Sequence, residues 1–235
     1  MLRSEPAPSR RGALAASLGL AAGAALLLPA CSKGGGADGV SATEDLMREH
    51  GILRRILVVY RELVPALRTA PQAVDARALG DAAELFRAFG EDYHERRLEE
   101  QHIFPQVRRL GGEAGGLVDT LLAQHVRGRE ITVFIKSRCA AGKLGAGDGE
   151  PLARAMEGFA RMYEAHTAFE DTILFQAWRA SLSKHQLDEA GDQFEDIERE
   201  QFKGDGFDIA AREITRIEQR LGLHDLARLT APRLA

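Results

Sequence analysis

The chain has 235 residues, 31 basic against 35 acidic side chains and a formal net charge of −4 at neutral pH, a balance that gives no reason to expect nucleic acid as a partner. Two cysteines exclude a disulfide framework, and the length suffices for one good-sized core with an appendage or for two small domains.

Ser9-Arg10-Arg11-Gly12-Ala13-Leu14 resembles a twin-arginine signal, and an apolar run from Ala13 to Leu28 follows it. The run is too short and too rich in Gly and Ala for a permanent membrane helix. It ends in Leu28-Pro29-Ala30-Cys31, which resembles a lipobox, with Pro29 where a small residue is usual. Residues 1–31 therefore predict an export signal, Cys31 a lipidated mature N-terminus, and residues 32–40 a flexible tether beginning Ser32-Lys33-Gly34-Gly35-Gly36. The expected location is the periplasmic or cell-envelope face, anchored to a membrane through that lipid. Twin-arginine machinery carries folded proteins.

After Ser41 the periodicity is helical and strand-like alternation is absent. Ser41-Ala42-Thr43-Glu44 forms a capping box for helix one, whose stripe of Leu46, Met47, Leu53, Leu57 and Val64 includes His50. Helix two runs from about Val74 to Phe104, stopped by Pro105, with Leu79, Ala83, Phe86 and Tyr93 leading to His94. Helix three, about Leu117 to Ala141, presents Val118, Leu121, Leu122, His125, Thr132 and Ile135 on one face. Cys139 continues that stripe as a buried, inert thiol. Helix four opens near Pro151, a favourable first-turn proline, and carries Leu152, Met156, Phe159, Met162, His166, Glu170, Ile173 and Ala177. Residues 41–181 thus predict an all-α, up-down-up-down four-helix bundle. Residues 182–235 form a helical extension: Ser183 caps a helix through about Phe202, and Phe207 to Leu221 gives another, closed by Gly222. The first is acidic, but Leu187, Phe194 and Ile197 give it an apolar edge suited to packing on the bundle.

Antiparallel neighbours meet at equal distances from the turn that joins them. With turns near Pro71, Gly111 and Gly145, the four histidines fall at one depth to within roughly 3 to 5 Å, no more than a helical turn. A single histidine on an apolar face is most simply a hydrogen-bonded core residue. Four at one level, with glutamates beside them, are costly to bury unless cations compensate. His166 and Glu170 share a face at i and i+4. Mixed imidazole and carboxylate donors suit iron, manganese or zinc and disfavour copper(I).

The strings Met47-Arg48-Glu49-His50, Asp92-Tyr93-His94-Glu95 through Glu99-Glu100 to Ile103-Phe104-Pro105, Gln124-His125, and His166-Thr167-Ala168-Phe169-Glu170-Asp171 through Leu174-Phe175 resemble the hemerythrin-like, HHE cation-binding domain. The resemblance covers about residues 41–181 and implies two non-haem iron ions, bridged by carboxylates and an oxo or hydroxo group, that bind or react with dioxygen. Carried over by position, it implies as ligands His50, His94 with a glutamate of helix two, His125, and His166 with Glu170. Oxygen-carrying hemerythrins place a second histidine one turn further along helix three, where this chain has Arg129. The implied site is poorer in histidine than a reversible carrier's, which opens sensing or redox reaction beside storage.

Helix two departs as well. His94 is followed by Leu98 at i+4, while Glu95, Glu99 and His102 form a column about 100° around the helix. Either a local π-bulge realigns His94 with Glu99, or His102 joins the site through that column. We take His94 with Glu99, hold Glu95 as a nearby second carboxylate and keep His102 as a further candidate. Glu44, Glu100, Glu130 and Glu164 read as solvated face residues, and His185 and His224 lie outside the bundle core. The expected function is a di-iron protein that binds or senses dioxygen or a related small oxidant, with manganese or zinc as alternative ions. An enzyme that consumes peroxide or nitric oxide, or repairs iron centres, is the alternative. Iron storage is a second alternative, for which only Glu99 to His102 offers the Glu-x-x-His spacing. No classical catalytic residue and no protein partner is legible.

Overall fold

The computed structural model describes residues 40–233; the twin-arginine segment, the Cys31 lipobox and the tether up to residue 39 lie outside the described residues. Six helical rods follow one another, α1 (Ala42–Thr69), α2 (residues 76–110), α3 (Gly112–Cys139), α4 (residues 149–180), α5 (Lys184–Phe202) and α6 (Gly206–Leu221), with no strand among the described residues. Ser41 opens α1: its hydroxyl accepts the Glu44 N–H while the Glu44 carboxylate accepts the Ser41 N–H, so two otherwise unpaired amides are satisfied at once. Ser183 and Gln186 repeat the device at the start of α5.

Two rods change their winding part-way. Within α2, residues Phe86–Ile103 are wound as a π-helix between α-helical ends, and within α4 the segment Glu170–Leu174 is wound likewise. This corrects the expectation that Pro105 ends helix two, because the rod continues to Leu110. A proline has no N–H to give, and it sits where the wider ladder reverts to the α pattern and a carbonyl loses its donor in any case. The chain then reverses at Gly111 and Gly112, both at positive φ (69° and 62°), which lets α3 begin almost at once. Gly149, at the start of α4, lies so close to the Leu67 carbonyl that any Cβ there would strike it.

α1 packs along α4 and α2 along α3, while α3 also lies on α4. The core between them is aromatic: Phe86, Phe159, Tyr163 and Tyr60 are all buried, with Phe86 and Phe159 edge to face at 4.7 Å. α5 and α6 lie against α1 and α2. Phe202 meets Tyr93 edge to face at 5.2 Å, Phe194 stacks on Trp178 at 5.9 Å, and Arg55 forks onto the Glu218 carboxylate. Cys139 is buried, and burial pushes its thiol up to about 11, which leaves it without thiolate reactivity at neutral pH. None of the described helices is long and apolar enough to cross a membrane.

Ile214, fully buried on the inner face of α6, anchors the extension. Ile214→Ala is expected to cost about 2–4 kcal/mol in urea unfolding, as truncation of a buried aliphatic side chain does.

Candidate metal centre

Each of the four long rods contributes one histidine, and α2 and α4 each add a glutamate. On an α-helix, a residue five positions on from His94 is turned about 140° away. The i→i+5 ladder of the π segment shrinks that offset, and Glu99 Oε1 comes to 3.4 Å from His94 Nε2. Glu99 therefore joins the site through a backbone feature. His50, His94, Glu99, His125, His166 and Glu170 are brought together, and none is more than 3% exposed.

The imidazoles have their orientation fixed from outside. His50 Nδ1 donates to Asp171 at 2.7 Å, His94 Nδ1 to Glu49 at 2.5 Å, His125 Nδ1 to Glu100 at 2.9 Å and His166 Nδ1 to the Gln124 side-chain carbonyl at 2.9 Å. A carboxylate can only accept, so the ring proton belongs on Nδ1 and the Nε2 lone pair points inward. The four acceptors were not singled out as functional in the sequence, and Glu100 in particular corrects the expectation of a solvated face residue. Each is the chain neighbour of a central residue: Glu49 of His50, Glu100 of Glu99, Gln124 of His125 and Asp171 of Glu170. Each serves the histidine of another rod, α1 to α2, α2 to α3, α3 to α4 and α4 to α1. Adjacency to a candidate ligand was the available signal.

Inside that ring the inward nitrogens pair off, His50 with His94 at 3.0 Å and His125 with His166 at 3.1 Å. Glu99 spans the two pairs, Oε1 towards His94 and Oε2 towards His125, both at 3.4 Å. Glu170 Oε2 lies 3.0 Å from His166 and 3.5 Å from His50. All four oxygens of these two glutamates are buried without a hydrogen-bond partner. Buried carboxylate oxygens left this way are strongly unfavourable without a cation. Two nitrogens bound at right angles to one ion at the usual bond length of about 2.1 Å stand about 3 Å apart, so each pair of rings fits one cation. The donor set of imidazole and carboxylate suits iron, manganese or zinc.

Without cations, protons take their place. Burial pushes His50 down to about 4 and His166 down to about 3, the latter with the charge of His125 adding to it. His125 feels the same burial, but Glu95, Glu100 and Glu99 outweigh it and carry the ring up to about 10. His94 is likewise raised against burial by Glu99 and Glu49, and burial with the charge of Glu99 raises Glu170. Without metal, His94, His125 and Glu170 are therefore the groups of the cluster on which a proton is favoured.

The remaining candidates lie elsewhere. Glu95 is buried but faces the outward, Nδ1 side of His125 at 3.9 Å, where Tyr163 donates to it at 2.6 Å and Arg129 at 2.9 Å. Arg129 also donates to Glu100, so the acidic pocket of Glu95 and Glu100 is filled by a guanidinium. His102 is corrected: it is partly exposed, with its ring 5.9 Å from Phe194 on the extension, because the π winding that brings Glu99 inward turns His102 away.

Two outcomes follow from this geometry. Metal uptake displaces the protons favoured on the metal-free cluster, so it should acidify a weakly buffered solution and the metal affinity should rise from pH 5 to pH 8; a pH indicator during titration reads both. Gln124→Leu, which removes only the acceptor for His166, should weaken metal binding about 10–100-fold while the circular dichroism stays helical.

The model of the hemerythrin HHE cation binding domain matches residues 41–178. Proteins of Mycobacterium tuberculosis and Mycobacterium bovis that are named as uncharacterized are 38% identical over 192 residues, which covers 81% of this chain and 74% of theirs. No solved structure matches the chain. With more than half of its length matched by that domain and its buried His/Glu clusters able to hold metal, the chain belongs to the hemerythrin HHE cation-binding family of helical metal-binding proteins.

Proposed function

We propose that the protein holds two non-haem iron ions in an up-down-up-down four-helix bundle and uses them to bind or sense dioxygen or a related small oxidant. The observation that carries this reading is the pairing of inward imidazole nitrogens, His50 with His94 and His125 with His166, bridged by two glutamates whose oxygens have no other partner. His50 and His94 would hold one ion, His125 and His166 the other, with Glu99 and Glu170 shared. Iron is the ion typical of this domain. When bound, the iron pair supplies the one-electron couples through which dioxygen is bound or reduced, chemistry that no side chain of this chain offers.

The residues around the pair do the rest. The outward hydrogen bonds of the four rings hold each Nε2 lone pair at its position, so little reorganisation is needed when an ion arrives. Phe104 and Phe175 are buried and stack on His125 and His50 at 5.4 and 5.5 Å. That apolar cover excludes bulk water and admits a small uncharged molecule more readily than an ion. With two histidines available per ion and Arg129 where a further imidazole would stand, the protein side chains would leave room for exogenous ligands. This favours, as a second reading, an enzyme that consumes peroxide or nitric oxide or repairs iron centres. Iron storage loses its motif with His102 outside the cluster. We also propose export through the twin-arginine segment and a lipid on Cys31, which the mass of the mature N-terminal peptide would test.

Purified aerobic protein should contain about two irons per chain and absorb in the near-ultraviolet through oxygen-to-iron charge transfer. His50→Ala combined with His166→Ala should lose the iron and the band while remaining helical; a metal-free wild type without the band rejects the proposal. Saturable dioxygen uptake without turnover separates the sensor from the enzyme, which should show steady-state consumption of peroxide or nitric oxide.

A further inference from the structure

His125 has a second set of cation-binding atoms on its outward side. Glu95 Oε2 lies 3.9 Å and Glu100 Oε1 2.9 Å from its Nδ1, and the donor atoms of the three residues all lie within 4.8 Å of one another. Glu95 is buried and Glu100 partly so. One imidazole nitrogen and two carboxylate oxygens at that spacing form the donor set of a third metal site, beside the two of the inner cluster.

That site is filled from within the chain. A single nitrogen of Arg129, Nη2, donates to Glu95 Oε2 at 2.9 Å and also to Glu100 Oε1, the same two oxygens that face Nδ1. Tyr163 takes the other Glu95 oxygen at 2.6 Å, which leaves Oε2 turned to the guanidinium. Arginine often grips a carboxylate through a fork of two N–H donors, but Arg129 Nε is buried without a hydrogen-bond partner. The residue therefore works as a point charge where two oxygens converge, as a metal ion would. With the Arg129 side chain only 15% exposed, water does little to screen it.

Without a cation, two carboxylates would meet beside one imidazole in a largely buried setting, which is costly. A divalent ion could balance them by taking the Nδ1 lone pair, and the ring proton would then leave to solvent. A guanidinium balances the same charge but accepts no lone pair, so the proton stays on Nδ1 and Nε2 stays free for the inner cluster. We propose that Arg129 is the resident cation of this third site, formed by Glu95, Glu100 and His125 Nδ1, and that it closes the outward face of His125 to divalent metal. The inference goes beyond the two-ion reading, since it concerns the cluster that metal does not enter.

The test uses zinc, which has a single oxidation state and suits these donors. Metal-free wild type, Arg129→Gln, Arg129→Lys, and Arg129→Gln combined with Glu95→Gln are each saturated with zinc, gel-filtered and analysed for bound metal. Arg129→Gln should hold about one zinc ion per chain more than the wild type, and zinc should raise its melting temperature further. Arg129→Lys keeps a point charge in place and should hold the wild-type amount. The double variant, short of one carboxylate, should do the same. If Arg129→Gln is unfolded without metal, recovery of its helical circular dichroism in zinc supports the proposal. A wild-type zinc count in folded Arg129→Gln, or a chain that zinc does not refold, would overturn it. So would an extra ion that persists when Glu95→Gln is added, because it must then sit elsewhere. The wild-type count alone reports on the inner cluster, so failure of the two-ion reading leaves the difference between wild type and variant readable.

Discussion

The structure depends on the hydrogen bond that each central histidine donates from Nδ1 to a residue on another rod. Glu49, Glu100, Gln124 and Asp171 accept these four bonds, and taken in order they run from α1 to α2, α2 to α3, α3 to α4 and back to α1. A closed ring of this kind sets the depth and rotation of every rod against its neighbour. A slip of one rod would break two bonds, one that it gives and one that it receives. The same bonds decide which nitrogen of each ring keeps its lone pair free, and so aim four inward donors at one layer. The layer then carries more negative and lone-pair density than its surroundings can satisfy. Cations, or protons in their absence, are the only species that can balance it.

The π segments are part of the same constraint. A run of eighteen π-wound residues is long for a backbone form that occurs mostly as single turns. It allows Phe86, Phe89, Tyr93, His94, Leu98, Glu99 and Ile103 all to be buried in one rod. A regular α-helix with the same sequence would have to choose between His94 and Glu99 as inward residues. The second π segment begins at Glu170, so both central glutamates sit in altered winding.

Much of this was legible in the sequence, because helix periodicity, capping residues and turn glycines are local signals. Ser41, Ser183 and Gly222 marked rod ends, and the four histidines shared a depth that simple counting reveals. The choice between Glu99 and His102 was not legible, since it turns on backbone winding, which side-chain spacing leaves open in both directions. The roles of Glu49, Glu100, Gln124 and Asp171 were hidden for a different reason. Their partners lie 25 to 121 residues away, and Glu100 has no mark on its own helix that separates it from a solvated face residue. Arg129 could be seen as a departure from the resemblance, but its partners Glu95, Glu100 and Tyr163 could not.

Gly128 shows how closely that corner is fitted. A Cβ at this position would run into the Tyr163 hydroxyl, so the glycine lets the phenol pass against α3 and reach Glu95. Glu95 is then held at both oxygens, by Tyr163 and by Arg129, and is kept on the far side of His125 from the inward nitrogens. The extension acts on the opposite corner. Phe202 packs on Tyr93, the Tyr93 hydroxyl donates to Glu49 at 3.0 Å, and Glu49 accepts from His94. α5 therefore touches the centre through two intervening residues, and it does so on the ring of bonds that fixes the rods. Burial there also acts on the surrounding acids: together with Glu49, Asp205 and Asp45 it raises Glu198 to about 7. A carboxyl that takes up its proton near neutrality brings less negative charge into the surroundings of Glu49, which keeps the extension compatible with the hydrogen bond that His94 requires.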